Sequence, residues 1–373
     1  MRWTATELES IHATMGGPDA LLTWRRGLYS ALLELLGASH EASDGVLDNP
    51  LVRAQVGMVL QQGRDPRSEL GVLMSVEDVG DRLVASSHTL HVAGSPESRD
   101  RLDGLVRRLT AALAGRGIRC EPALLNRGDD GYMAFVKRLQ TGVDRLVAAS
   151  PVLARDLFPH VQAIAIVDVA AVGSASERDY PGLLVLPASA SEVEIVEGLV
   201  HEGAHQKLFD ISLTCDLAFE GPGHGAVRVS PSWLPDGVTW PLAQVFAALH
   251  AYCCLAALES EVGPEWSWPA SSLVPVALTR ATELARSLID HEAALTSEGR
   301  RFLEALTTGT AGVSAETGDG HIDPIGIDLV VTRQFADRCL VVLRRASAGG
   351  RAVEVYWARG VSDSEIRRDL TKA

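Results

Sequence analysis

His201-Glu202-Gly203-Ala204-His205 is the stretch whose residue types and spacing can do chemistry. On an α-helix, residues four apart share one face, one turn above the other. Two imidazoles so placed can hold one divalent cation at about 2.0–2.1 Å. Glu202 projects beside them, where it can take a proton from a metal-bound water or orient one. The alternative is a pair of surface histidines on a charged helix. Leu199-Val200 immediately before the motif argues for a half-buried setting instead.

A metal centre needs a third ligand, and the protease extensions of this motif fail residue by residue. Leu208 and Ile211 occupy positions where one extension requires Gly and His, and Gly225 stands where another requires Glu. Asp216 lies eleven residues after His205 but lacks the Gly-Thr turn of an aspartate-zinc site. His224 sits in a glycine-rich loop, where a histidine is more often solvated. His250, in Phe246-Ala247-Ala248-Leu249-His250-Ala251-Tyr252, is the stronger candidate. An imidazole inside an apolar helix needs a partner to offset its desolvation. That partner is either a metal or a backbone carbonyl.

The elements that position these residues are legible as patterns. Ser191 with Glu194 reads as a capping box opening the motif helix, whose apolar face is Val193, Ile195, Val196, Leu199 and Val200. Val161 to Val167 and Gly182 to Pro187 read as strands. The second is expected to be an edge strand beside the metal helix, the zincin-like arrangement that holds an extended peptide. Trp240-Pro241 opens an apolar helix to about Glu261. The expected fold class is α+β: mostly helical, with a small zincin-like sheet packed beside the HExxH helix. Expected regions are a mainly helical 1–159, a catalytic 160–309, and a linker with a small α/β tail over 310–373.

Composition narrows the function classes. The chain has 373 residues, 46% hydrophobic, and a formal net charge of -14. That balance opposes non-specific nucleic-acid binding, which needs a basic face, and docking on an anionic membrane. No run of about 18 consecutive apolar residues is present, and the first residues lack a signal-peptide core. Five scattered cysteines with no CxxC fit a reducing compartment, so a cytoplasmic location is expected.

Over roughly residues 163–306 the chain resembles the HExxH-containing peptide-modification proteins of bacterial natural-product clusters, regarded as 2-oxoglutarate-dependent peptide β-hydroxylases. The resemblance rests on an ordered series. It runs from Ser174-Ala175-Ser176 through the Gly182-led strand and Leu199-Val200-His201-Glu202-x-x-His205-x-x-Leu208. Ser230-Pro231, Trp240-Pro241, Leu249-His250-Ala251-Tyr252 and Leu295-Thr296-x-x-Gly299 follow. Ser232-Trp233 and Trp240-Pro241 depart from the family's Pro-Trp-Arg and Arg-Pro.

The resemblance implies Fe(II) rather than Zn²⁺, with 2-oxoglutarate and O₂ as co-substrates. It also implies a precursor peptide, with its leader, as substrate; a carrier-bound amino acid is the variant of that reading. His201, His205 and His250 would then be the metal ligands, with Glu202 as partner or alternative ligand. The same histidines would equally suit zinc and a metallopeptidase. A bound 2-oxoglutarate needs a cation for its distal carboxylate, best an arginine fork. Arg280 is the first candidate, then Arg286 and Arg228. Leu184, Trp233 and Tyr252 are the expected substrate-facing residues.

Overall fold

A computed structural model of the chain describes residues 3–36, 42–62, 80–85, 88–115, 118–120, 122–169, 173–214, 216–218, 227–263, 266–308, 327–335, 338–347 and 350–359. The first helix, α1 (Ala5–Thr14), is opened by a Thr4/Glu7 capping box, which satisfies backbone donors that a helix start leaves unpaired. α2 (Pro18–Leu35) starts on a proline, and the short α3 (Asp44–Asp48) leads to α4 (Pro50–Gln62). β1 (Gly80–Ala85) and β2 (His88–Ala93) form an antiparallel hairpin, followed by α5 (Pro96–Gly115). α6 (Tyr132–Ala149) buries Tyr132, Phe135, Leu139, Val143 and Leu146, the three-and-four spacing of an amphipathic helix. Pro151 ends that run and begins α7 (Pro151–Leu157).

β3 (Ala163–Val167), β4 (Ala175–Ser176) and β5 (Leu183–Pro187) complete the main sheet, in the order β1-β2-β3-β5-β4. β2, β3 and β5 run parallel, and β4 lies antiparallel on the outer side of β5. The two continuous apolar runs are central strands covered on both faces. Ile164, Ile166, Leu184 and Leu186 enter one core, while Ala163, Ala165, Val167, Leu183 and Val185 enter the other. The second core is closed by Leu102, Leu105 and Leu109 of α5 with Leu51 and Ala54 of α4. Gly182, at φ +89°, makes the turn into β5. A side chain there would meet the Arg53 guanidinium and the Gln162 amide at 2.2 Å, so only glycine fits.

α8 (Glu192–Ser212) packs on the larger core's side of the sheet, with α9 (Leu242–Glu261), α10 (Ala277–Asp290) and α11 (Ser297–Thr308) behind it. α9 matches a membrane span in length and apolarity, but here 78% of its apolar stretch is buried among the other helices. β6 (Arg228–Val229) and β7 (Trp240–Pro241) close the loop before α9. β8 (Ile327–Phe335), β9 (Arg338–Ser347) and β10 (Gly350–Arg359) form a separate antiparallel sheet.

The architecture is α+β, mostly helical with a small mixed sheet. The structure corrects the expected edge: Leu183–Pro187 lies between β3 and β4, and the edge strand beside the site is the two-residue β4. A five-residue apolar run is what a strand covered on both faces requires, whereas an edge strand exposes one side. The sheet also joins β1 and β2, from the first 159 residues, to β3–β5, from the region that follows.

Candidate metal centre

Three faces of α8 do three different jobs. The row Gly198, Glu202, Gln206 faces the sheet. Gly198 lets the helix approach so closely that a Cβ there would stand 2.8 Å from Leu186 Cδ2 and 3.0 Å from Ser174 Cβ. Gln206 accepts from the Gly182 amide at 2.6 Å and donates to the Leu183 carbonyl at 3.2 Å, which docks α8 on β5. Glu202 is buried, and its two carboxylate oxygens accept from Ser174 Oγ at 2.8 Å and Ser176 Oγ at 2.7 Å. A buried carboxylate needs such donors, each worth about 1.5–3 kcal/mol against a charged acceptor.

The second row, His201, His205 and Phe209, lines a cavity of about 740 Å³. β4 with its flanks forms one wall, α5 another, and the segment from Trp240 to Tyr252 a third. The Nε2 atoms of His201 and His205 lie 3.2 Å apart, their rings edge to face. Two nitrogens about 2.0–2.1 Å from a common ion lie roughly 2.9 Å apart at a right angle and roughly 3.3 Å apart at a tetrahedral angle. The observed separation falls between these. His201 Nδ1 is buried without a hydrogen-bond partner. Burial and then the neighbouring His201 push His205 down to about 4, so at neutral pH its imidazole is uncharged and free to ligate. Glu202 completes the group: the ligand atoms of His201, Glu202 and His205 all lie within 4.8 Å of one another.

The third row is polar and buried. Lys207 Nζ donates to the Asp156 carboxylate of α7, and Asp210 accepts from Arg25 Nη1 of α2 and pairs with His160 Nδ1, each at 2.6 Å. These pairs tie α8 to the helices behind it.

His250 is not part of the His201 group. Its Nδ1 donates to the Ala204 carbonyl at 3.0 Å, and its Nε2 faces His12 Nε2 at 2.6 Å. The ligand-bearing group that contains it is His12, His250 and Cys254, all fully buried. The backbone-carbonyl alternative is thus the one found for Nδ1, because His250 points from α9 across to α1 rather than into the cavity. Asp216 is exposed in the loop after α8 and does not line the cavity; His224 lies outside the described residues.

The expected carboxylate clamps separate as well. Arg280 Nη1 donates to Tyr252 Oη at 2.8 Å, and its guanidinium lies over the Trp233 ring at 5.0 Å from the centroid. It therefore braces the cavity wall through Tyr252. Arg228 is exposed and donates to the Thr239 hydroxyl and carbonyl, and Arg286 is exposed on α10. Among the described lining residues the one cation is Arg178, just after β4. Of the expected substrate-facing residues, Tyr252 lines the cavity and Trp233 packs behind it. Leu184 is wholly buried in the core beneath α8.

The fold and site define an α+β protein with a helical His/Glu/His cluster at the wall of a cavity. No protein-family model and no curated protein matches the sequence.

Proposed function

We propose that the protein is an Fe(II)- and 2-oxoglutarate-dependent oxygenase that hydroxylates a side-chain β-carbon of a peptide. The observation that carries this reading is the clustering of one carboxylate with two imidazoles at the cavity wall, with the carboxylate fixed by two serine hydroxyls. Two histidines and one carboxylate are the facial set that leaves positions for a bidentate 2-oxo acid and O₂. Iron bound there would supply the oxygen chemistry, coupled to decarboxylation of 2-oxoglutarate to succinate.

The chain's own residues would do the rest. His201 and His205 present their Nε2 atoms to the cavity, Glu202 is held in place by Ser174 and Ser176, and Arg178 offers a cation to the distal carboxylate. Tyr252, braced by Arg280, orders the opposite wall. β4, as the outer antiparallel strand, offers a zincin-like edge along which an extended peptide can pair.

The competing reading is a zinc peptidase with Glu202 as general base. A base of that kind passes a proton from water to the leaving amine. Glu202, tied through both oxygens to Ser174 and Ser176, suits a fixed ligand or positioning group better. Anaerobic loading with Fe(II), followed by 2-oxoglutarate, O₂ and candidate peptides, tests the proposal through succinate formation. Absence of succinate, together with Glu202-dependent peptide cleavage by the zinc form, would establish the peptidase instead.

A further inference from the structure

A second cluster lies on the far side of α8, away from the cavity. His12 of α1 and His250 and Cys254 of α9 place their ligand atoms within 4.8 Å of one another, all three fully buried. His250 and Cys254 are four apart on one helix face, and His12 reaches them from a helix 238 residues earlier in sequence.

Hydrogen positions follow from the partners. A carbonyl oxygen can only accept, so His250 Nδ1, 3.0 Å from the Ala204 carbonyl, carries a hydrogen. His12 Nδ1 lies 2.6 Å from Asp156 Oδ2. Asp156 takes the Lys207 ammonium on its other oxygen, Oδ1, as a carboxylate does. Asp156 is therefore an acceptor too, and His12 Nδ1 also carries a hydrogen. Both Nε2 atoms then present lone pairs, 2.6 Å apart. Two lone pairs nose to nose repel unless a cation lies between them, either a proton or a metal ion.

We propose that His12 Nε2, His250 Nε2 and the Cys254 thiolate hold a zinc ion that clamps α1 to the core helix. Three features favour the metal over the proton. A ligating histidine characteristically donates its other ring N–H to a carboxylate or a backbone carbonyl, and here one does each. Cys254 Sγ, 4.0 Å from His250 Nε2, adds the soft ligand that selects zinc among divalent ions. A shared proton would leave a buried imidazolium beside the Lys207 ammonium, with Asp156 serving both. Replacing that proton and the Cys254 thiol proton by a divalent ion leaves the buried charge unchanged and adds three coordinate bonds. Seating the ion opens the two nitrogens by about half an ångström, a small ring tilt on each side. Among the described residues no fourth protein ligand joins the group, so a trapped water would complete a tetrahedral zinc.

The site is independent of the proposed oxygenase reading, and its test removes the cavity histidines first. The full chain carrying His201→Ala and His205→Ala is purified, dialysed against a weak chelator, and examined for zinc content and zinc-edge X-ray absorption. The expected result is one zinc per chain, with one sulfur at about 2.3 Å and two nitrogens at about 2.0–2.1 Å. Adding Cys254→Ser should remove the sulfur shell and lower zinc retention at least tenfold, with the helical circular dichroism unchanged. A folded double variant that binds no added zinc, or zinc with no sulfur neighbour, overturns the site and leaves a proton between the imidazoles.

Discussion

Gly198→Ala probes how tightly the sheet holds the site. The added Cβ would stand 2.8 Å from Leu186 Cδ2 and 3.0 Å from Ser174 Cβ, where carbon atoms at ease lie about 3.5–4.0 Å apart. α8 and the β4–β5 edge must therefore separate by roughly half to one ångström. Overpacking of this kind costs about 1–3 kcal/mol, and the better helix propensity of alanine offsets about 1 kcal/mol of it. Net destabilisation should be about 0–2 kcal/mol. The same displacement stretches the 2.8 Å hydrogen bond from Ser174 to Glu202, a charged-acceptor bond worth about 1.5–3 kcal/mol. Iron affinity should accordingly fall about tenfold or more while the protein stays folded. Urea denaturation and Fe(II) titration on the same preparation separate the two effects. Gly57→Ala is the control: its Cβ would meet nothing within 4 Å, and it should stabilise α4 by up to about 1 kcal/mol without touching iron affinity. Equal iron affinity in Gly198→Ala and wild type would refute the claim that the β4–α8 contact sets the carboxylate.

Further outcomes follow from the same geometry. Ser174→Ala with Ser176→Ala leaves the buried Glu202 carboxylate without its two hydroxyls and should lower stability by about 2–5 kcal/mol, read by urea denaturation. Arg178→Ala should raise the KM for 2-oxoglutarate about 10–100-fold with a smaller change in kcat, and Arg280→Ala should do less because Arg280 acts through Tyr252. Burial first lowers His160 to about 4 despite Asp210 beside it. The unfolded chain therefore binds the extra proton, so this contribution is complete above pH 6.5 and is lost as pH falls toward 4. It amounts to roughly 3 kcal/mol, and His160→Gln should flatten that part of the stability–pH curve. Gly299→Ala places a Cβ 1.8 Å from the Leu217 carbonyl oxygen, a backbone atom that cannot step aside, and should abolish soluble folded protein.

Local patterns made part of this molecule legible. The Ser191/Glu194 capping box opens α8 as the sequence predicts, with Ser191 Oγ accepting from the Glu194 amide and the Glu194 carboxylate accepting from the Ser191 amide. The apolar runs become β3 and β5, and Leu340–Leu343 and Val353–Tyr356 fall within β9 and β10. Of the expected α/β tail, residues 360–373 lie outside the described residues. β2 was not legible, because His88-Thr89-Leu90-His91 carries two histidines in a six-residue strand that depends on β1 and β3 for its pairing. β4 is two residues long, too short for any periodicity, although Ser174-Ala175-Ser176 was already visible as a motif. The need of His250 for a partner was correctly read from its apolar helix. Its actual partners, Ala204 and His12, depend on how α1 and α8 pack on α9, which no spacing in the sequence records. The same holds for Lys207 with Asp156 and for Asp210 with Arg25, pairs joined only once the helices have packed.

The most direct test of the account is anaerobic addition of 2-oxoglutarate to the Fe(II)-loaded protein, followed by admission of O₂ and measurement of succinate. The wild type should form a coloured iron–2-oxoglutarate complex and release succinate, and both signals should vanish in His205→Ala. A wild-type protein that binds Fe(II) yet forms neither the coloured complex nor succinate would contradict the central claim.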